Sequence, residues 1–277
     1  MPVTLRRFAR HRGALAGAVI AVFFVGVAVL APWVAPFDPE AIQLGANLRP
    51  PSAAHPFGTD SLGRDVLSQV IYGARISLTI GFVSVLLAMV VGSPVGAGAG
   101  FKGGWLDRST MRVVDVLVSF PTILLAIIVI TIFGPGLFNA MLAIGIAQVP
   151  LYARLTRGVV LKIKALDYVQ AARAAGVHES RVLWRHVLPN CLPPLIVQST
   201  LLFATAILSA AYLGFLGLGA QPPTPEWGTM LSKARDFLRV APHVSIFPGV
   251  TIMVTVLGLN LLGDGLRDVL DPRTSQT

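Results

Sequence analysis

Charge is what this sequence has least of. Asp, Glu, Lys and Arg make up 13% of the 277 residues, against about 25% in an ordinary soluble domain. No charged residue occurs between Arg75 and Lys102, between Asp115 and Arg154, between Arg185 and Glu226, or between Arg239 and Asp264. A carrier driven by an ion gradient usually holds ionisable groups inside its helices, because something there must bind the coupling ion. Their absence disfavours a secondary carrier acting alone and predicts that energy for any solute movement enters from elsewhere. Cysteine is almost missing too: Cys191 is the only one, which excludes an internal disulfide. Its place between Pro189 and Pro193 reads as an inert thiol near a helix start. No Gly-Lys dipeptide exists, so there is no Walker A phosphate loop and no ATP hydrolysis by that route. His11, His55, His178, His186 and His243 are scattered, without a paired-histidine metal spacing. No apolar stretch offers a Ser-His pair or paired aspartates, which leaves an intramembrane hydrolase without a site. The single G-x-G-x-x-G, at Gly98, Gly100 and Gly103, closes an apolar run instead of joining a strand to a helix, so it is no dinucleotide fingerprint.

What is abundant is apolar sequence, 54% of the chain. In lipid a helix satisfies its own backbone hydrogen bonds and needs about 20 apolar residues to cross. Six segments qualify: Gly13 to Leu30, Ile76 to Gly100, Val116 to Phe133, Leu137 to Ala153, Pro194 to Gly219, and Ile246 to Leu262. Arg6, Arg7, Arg10 and Arg12 precede the first run, as in a signal peptide. The run is long for a signal core and no small-residue cleavage site follows, so an uncleaved first helix is expected.

The formal net charge of +9 sits in short segments between the apolar runs. Lys and Arg stay on the cytoplasmic side. The N-terminus, the segment with Lys102, Arg108 and Arg112, and the segment with Arg154, Arg157, Lys162, Lys164, Arg173, Arg181 and Arg185 are the basic ones. The turn Gly134-Pro135-Gly136 is uncharged, and the segment after the first helix balances Arg49 and Arg64 with Asp38, Glu40, Asp60 and Asp65. The pattern places both termini in the cytoplasm, which needs an even number of crossings. The four acids read as a solvated outer face, Trp227 as an anchor at the outer interface, and Pro94 and Pro121 as kinks. Gly92, Gly96 and Gly100, four residues apart, suit close helix packing. Pro222, Pro223 and Pro225 stiffen the exit from the fifth span, and Arg267 and Asp268 fall just beyond the sixth.

The informative segment follows the fourth span. Residues 167–175 favour a short helix of Ala and Arg. Gly176 permits a turn. A second amphipathic stretch carries Val177, Arg181, Trp184 and Arg185, and Pro189 is expected to end it. Two short helices joined at a glycine make a knob outside the membrane, suited to a groove on a partner.

This segment resembles the "EAA" loop of ABC importer permeases: Glu-Ala-Ala, three residues, Gly, nine residues, then Ile-x-Leu-Pro. Ala171, Ala172, Gly176, Leu188 and Pro189 fall on that pattern. Gln170 stands where the family has glutamate, and His186 at the isoleucine position. His55-Pro56-Phe57-Gly58-Thr59-Asp60, Gly63-Arg64-Asp65, Gly73-Ala74-Arg75-Ile76-Ser77-Leu78, Phe215-Leu216-Gly217-Leu218-Gly219, Gln221 to Gly228 and Asn260 to Asp268 resemble the C-type permeases of the dipeptide/oligopeptide/nickel family. The likeness is strongest over residues 55–273.

The resemblance implies an all-α membrane protein of about six transmembrane helices with the type I ABC importer transmembrane fold. Residues 1–72 would hold the N-terminal tail, first helix and outer loop, residues 73–264 the ABC transmembrane type-1 domain, and residues 265–277 a cytoplasmic tail. It implies a permease subunit without its own ATPase site, forming half of a peptide pathway across the bacterial cytoplasmic membrane. A second permease subunit, two ATP-binding subunits and an extracytoplasmic solute-binding protein are the expected partners, and no nucleic acid is. No cofactor is expected in this chain; ATP and Mg would be bound by the partner subunits. The coupling residues are Gln170, Ala171, Ala172, Gly176, Leu188 and Pro189. Nickel, glutathione or another small solute is the alternative cargo.

Overall fold

The computed structural model describes residue 8 and residues 11–270, residue 270 by its backbone alone. Arg6, Arg7, Arg10 and the tail from residue 271 lie outside that range. Among the described residues the regular elements are helical, apart from one isolated bridge between Thr59 and Asp65. The helices are α1 (Arg12–Val34), α2 (Val66–Lys102), α3 (Gly104–Ser119), α4 (Thr122–Phe133), α5 (Leu137–Lys164), α6 (Asp167–Ala174), α7 (Glu179–Val182), α8 (Leu188–Phe215), α9 (Trp227–Ala234) and α10 (His243–Leu270). Five helical runs are long and apolar enough to cross a membrane: α1, α2, α5, Glu179–Phe215, and α10.

The third expected span is not one helix. It straddles a 96° bend between α3 and α4. Pro121 supplies no backbone N–H and pushes the residue before it out of the helical region; Phe120 is extended, at φ −86° and ψ 139°. The charges Asp107, Arg108, Arg112 and Asp115 also suit α3 to a membrane surface and not to hydrocarbon. Counting the bent pair as one crossing gives the expected six. Pro94, by contrast, lies inside an unbroken α2.

The centre of the bundle is α2 against α5. A Cβ on Gly92 would lie 2.5 Å from the Val149 carbonyl oxygen, and one on Gly100 would lie 3.1 Å from that of Arg157. Gly96 meets the Ala153 backbone between them. The glycine stripe therefore does what its spacing predicts: it brings two backbones together. The core built on this contact also takes in Ile80, Ala88, Ala126, Ile130, Ile144, Tyr152 and Leu202, while α1 and α10 pack on its flank through Phe24, Leu78, Ile207 and Leu259. His11 Nε2 lies 3.2 Å from an Asp268 carboxylate oxygen, so the start of α1 and the finish of α10 share one end of the bundle. Arg267 and Asp268 belong to α10, not to a tail beyond it.

At the opposite end, residues 35–65 fold into a knot of side chains. Asp60 Oδ2 accepts from Arg64 at 2.6 Å and from Gln69 Nε2 at 3.0 Å. Asp65 caps α2 by accepting from Ser68 N at 2.8 Å, and its other oxygen lies 2.9 Å from His55 Nδ1. His243 Nε2, at the head of α10, reaches the Thr59 carbonyl at 3.2 Å. Asp60 and Asp65 are therefore buried, at 6% and 1% exposure, and are not part of a solvated face. Asp60 is paired with Arg64, and Asp65 is hydrogen-bonded by Ser68 and lies against His55, as burial demands. Asp38 and Glu40 do remain exposed.

Trp227 corrects another expectation. It is fully buried and donates from Nε1 to the Val70 carbonyl at 3.0 Å, so it pins α9 to α2 and does not anchor at an interface. Glu226 beside it caps α9, accepting from Gly228 N and Thr229 N at 2.8 Å each. Burial pushes the Glu226 carboxyl above its ordinary range, and the backbone N–H donors only partly offset this.

Candidate functional site: the surface between α5 and α8

α5 stops at Lys164, and the chain turns through Ala165 and Leu166 into α6. The end of α6 is set by Gly176, at φ +77°. Val177 N donates to the Ala172 carbonyl at 3.1 Å and Gly176 N to that of Arg173 at 2.9 Å. This paired return of N–H groups to the last helical turn requires a left-handed residue, which glycine adopts without steric cost. His178 then caps α7, accepting from Ser180 N at 3.3 Å. Arg173 bridges to Glu179 at 2.9 Å and lies 5.4 Å from the centre of the Phe101 ring at the end of α2. The two short helices are thus tied to each other and to the bundle.

Pro189 does not end the second helix. Helical structure runs unbroken from Glu179 to Phe215, with one π-helical turn at Leu183–Val187. Proline is tolerated at the first turn of a helix but cannot donate to the carbonyl four residues back. The strain is absorbed by widening the turn before it: Leu188 N reaches back to the Leu183 carbonyl. Tyr168 on α6 donates to the His186 carbonyl at 3.3 Å, and Asn190 Nδ2 donates to that same carbonyl at 2.7 Å and to the Tyr168 hydroxyl at 3.1 Å. A hydroxyl and an amide therefore brace the irregular turn.

The surface divides cleanly. Val169, Val182, Val187 and Cys191 are fully buried and belong to the main core. Ala171, Ala174, Gly176, Arg181, Trp184 and Arg185 face outward, Trp184 at 71% exposure. Of the residues singled out in the sequence, Gln170, Ala171, Gly176 and Pro189 are exposed, Ala172 is half-buried, and Leu188 packs into the core. Gln170 donates from Nε2 to the Lys164 carbonyl at 2.8 Å. A carboxylate there accepts only, so the glutamine does something that the family's glutamate cannot: it caps the end of α5.

Three further contacts fix the approach to this surface. Arg157 on α5 pairs with Asp107 on α3 through two bonds, at 2.5 and 2.7 Å. Arg154 pairs with Asp115 at 2.6 Å. Lys164 Nζ donates to the Phe101 carbonyl at 2.7 Å. The two basic segments that sequence reasoning assigned to one side of the membrane thus meet in space. These pairs were legible only as charge runs, since their partners lie 39 and 50 residues away.

Among the described residues no group of three or more His, Cys, Asp or Glu is placed to hold a metal ion.

Residues 92–276 match the family described as binding-protein-dependent transport system inner membrane component. Residues 3–51 match the N-terminal TM domain of oligopeptide transport permease C. The chain is 46% identical to the dipeptide transport system permease protein DppC of Alkalihalophilus pseudofirmus, over 97% of this chain and 88% of that protein. It is 49% identical to the di/tripeptide transport system permease protein DppC of Pseudomonas aeruginosa, over 96% and 90%. It is 46% identical to the glutathione transport system permease protein GsiD of Pectobacterium atrosepticum, over 97% and 89%. Among solved structures, an inward-facing form of the MetNI methionine ABC transporter aligns with a TM-score of 0.61 at 24% identity, covering 73% of this chain and 96% of that one.

Proposed function

This chain belongs to the family of binding-protein-dependent transport system inner membrane components, and from that membership we propose how its exposed loop is used and what it carries. It is a multi-pass permease subunit of an ABC importer, with the transport role of that family. Short peptides are its cargo. Its relatives named for dipeptides and di/tripeptides support that reading, and those named for glutathione, itself a tripeptide, keep a second cargo open.

The working machine pairs this chain with a second permease, two ATP-binding subunits that hold ATP and Mg, and a solute-binding protein on the outer side. Both termini are cytoplasmic. The knob of residues 167–187 receives force from an ATPase subunit through Gln170, Ala171, Ala172 and Gly176. ATP binding closes the ATPases, the knob moves with them, and the bundle turns from inward- to outward-facing. Solute then arrives from the binding protein. One observation carries this reading: the knob presents an exposed face while its other face is locked to the core by Val169, Val182 and Val187. A surface that is free outward and rigid inward transmits a push.

Site-directed cross-linking tests it. A cysteine at Ala171, exposed and with the buried Cys191 as its only competitor, is expected to cross-link to a co-expressed ATPase subunit, and to lose that cross-link in the Gly176→Pro variant. Uptake of a dipeptide into proteoliposomes is expected only with the partners and ATP. Uptake by the purified chain alone under a proton or sodium gradient, or an Ala171→Cys protein labelled only from the outer side, overturns the reading.

A further inference from the structure

α1 and α2 meet along a seam that opens outward, and the seam changes chemistry along its length. Its inner part is a cavity of about 430 Å³ lined by Val25, Ala28, Val29, Leu78, Phe82 and Phe203, with Arg75 and Thr79. Val25, Val29 and Phe82 are more than half exposed, so the cavity has no cover among the described residues. Arg75 is exposed and, among the described residues, makes no ion pair. The depth of the trough at Ala28 can be read from α1. Ala28 lies five residues before Trp33, whose ring is 77% exposed at the outer end of the helix. At 1.5 Å per residue that is about 8 Å below an aromatic of the kind that sits at headgroup level.

One turn further out, the same two helices line a second cavity of about 590 Å³. Its walls come from Pro32 and Ala35 on the α1 side, Tyr72 and Ile76 on α2, and the segment with Asp38 and Glu40. Both acids are exposed, and Asp38 Oδ1 accepts from Glu40 N at 2.9 Å, which holds the turn. From the membrane interior outward, the seam therefore presents an apolar trough, then a guanidinium, then two carboxylates with a tyrosine.

That order is the order of groups in an aminophospholipid of the outer leaflet: acyl chain, phosphate, ammonium. We propose that the α1–α2 seam is a binding site for phosphatidylethanolamine, with an acyl chain against Val25, Val29 and Phe82, the phosphate on Arg75, and the ammonium at Asp38 and Glu40. Arginine recognises phosphate through paired N–H donors. Arg75 is exposed and without a counter-charge among the described residues, so an anion can join it there. The carboxylates discriminate against phosphatidylglycerol, which has the phosphate but no cation to offer them. The inference is independent of the cargo and of the knob.

The test uses the importer assembled with its partner subunits, extracted from bilayers of equal parts phosphatidylethanolamine, phosphatidylglycerol and phosphatidylcholine, with co-purified lipid counted by mass spectrometry. Phosphatidylethanolamine is expected to be enriched over both others. Arg75→Leu is expected to lower its retention about fivefold, the worth of one basic side chain at a lipid surface, and Arg75→Lys to keep most of it. The double variant Asp38→Asn with Glu40→Gln is expected to erase the preference over phosphatidylglycerol while binding still depends on Arg75. Lipid at bulk proportions in the unmodified protein, or equal retention in Arg75→Leu, overturns the site. Equal enrichment of phosphatidylglycerol overturns the aminophospholipid assignment. A Val29→Cys thiol shielded from a membrane-soluble maleimide in the assembled importer, whatever the lipid, shows that a partner subunit fills the seam and overturns the proposal outright.

Discussion

Two stretches outside the membrane carry family motifs, and they use them in opposite ways. In the knot of residues 35–65 the motif residues turn inward. Asp60, Arg64, Asp65 and His55 are buried and satisfy one another through side chains. In the knob of residues 167–187 the motif residues Gln170, Ala171 and Gly176 turn outward, and the shape is held by backbone bonds, by valines that no motif mentions, and by the side chains of Arg173, Glu179, Tyr168 and Asn190. The first region is specified by charge pairing and the second by conformational permission at one glycine. The knot is therefore a device of stability, and the knob a surface left free for something else.

The largest expected effect breaks the knot. Asp60→Ala strips a buried guanidinium of its partner, and removing one member of a buried pair costs about 3–5 kcal/mol. A fall in the apparent unfolding temperature of the purified protein, with little folded material recovered, is the expected result. Near-normal stability would mean that the pair is solvated and that the contrast with the knob is false.

The second prediction concerns another buried acid, Glu226. Its carboxyl is raised by burial, so the folded state holds the proton more tightly than the unfolded state. Stability from this group is full below the unfolded value and is lost as pH rises through the folded one. Glu226→Gln cannot titrate. Its stability is expected to stay flat across the pH range, from mildly acidic upward, where the unmodified protein weakens. Thermal unfolding as a function of pH reads the difference in slope.

A smaller effect on folding, and a larger one on transport, is expected at Gly176. Alanine there must hold φ near +77°, a cost of roughly 1–2 kcal/mol, although no neighbouring atom lies within 4 Å of the added carbon. Uptake in proteoliposomes is expected to fall by more than the modest thermal shift accounts for. Parallel losses would make Gly176 as structural as Asp60.

The smallest is Gln170→Glu, which restores the family's residue. The bond to the Lys164 carbonyl is lost because a carboxylate has no proton to donate, and an exposed change of this kind alters stability by about 0.5–1 kcal/mol. Thermal unfolding together with the yield of the Ala171→Cys cross-link measures both sides of the exchange: a capped α5 against a freer side chain.

Much of this was legible in the sequence, for identifiable reasons. Apolar runs bounded by basic segments gave the crossings, and the Gly92–Gly96–Gly100 spacing gave the contact between α2 and α5. The spacing from Ala171 through Gly176 to Pro189 gave the knob. The errors cluster at prolines and acids. Pro121 and Pro189 look alike in sequence, yet one breaks a span and the other rides inside one. The difference is what precedes them: four charges on α3 that hydrocarbon will not accept, against a turn that widens and is braced by Tyr168 and Asn190. Asp60 and Asp65 look solvated in sequence because their partners, Gln69, Ser68 and His55, are near in sequence but carry no signal of burial. Trp227 looks like an interface anchor in sequence because nothing local reveals that the Val70 carbonyl accepts from its N–H.

The unbroken run from Glu179 to Phe215 has a further consequence. Its 37 residues amount to a rod of about 55 Å at helical rise. One end is part of the knob, and the other stops beside the loop where Gly136 N meets the Leu218 carbonyl at 3.3 Å. A tilt imposed at Glu179 thus arrives at Phe215 without crossing a loop. The widened turn beside Pro189, with Pro193 and Pro194 just after it, is where that rod lacks helical hydrogen bonds, so this stretch sets how much of the tilt is lost on the way.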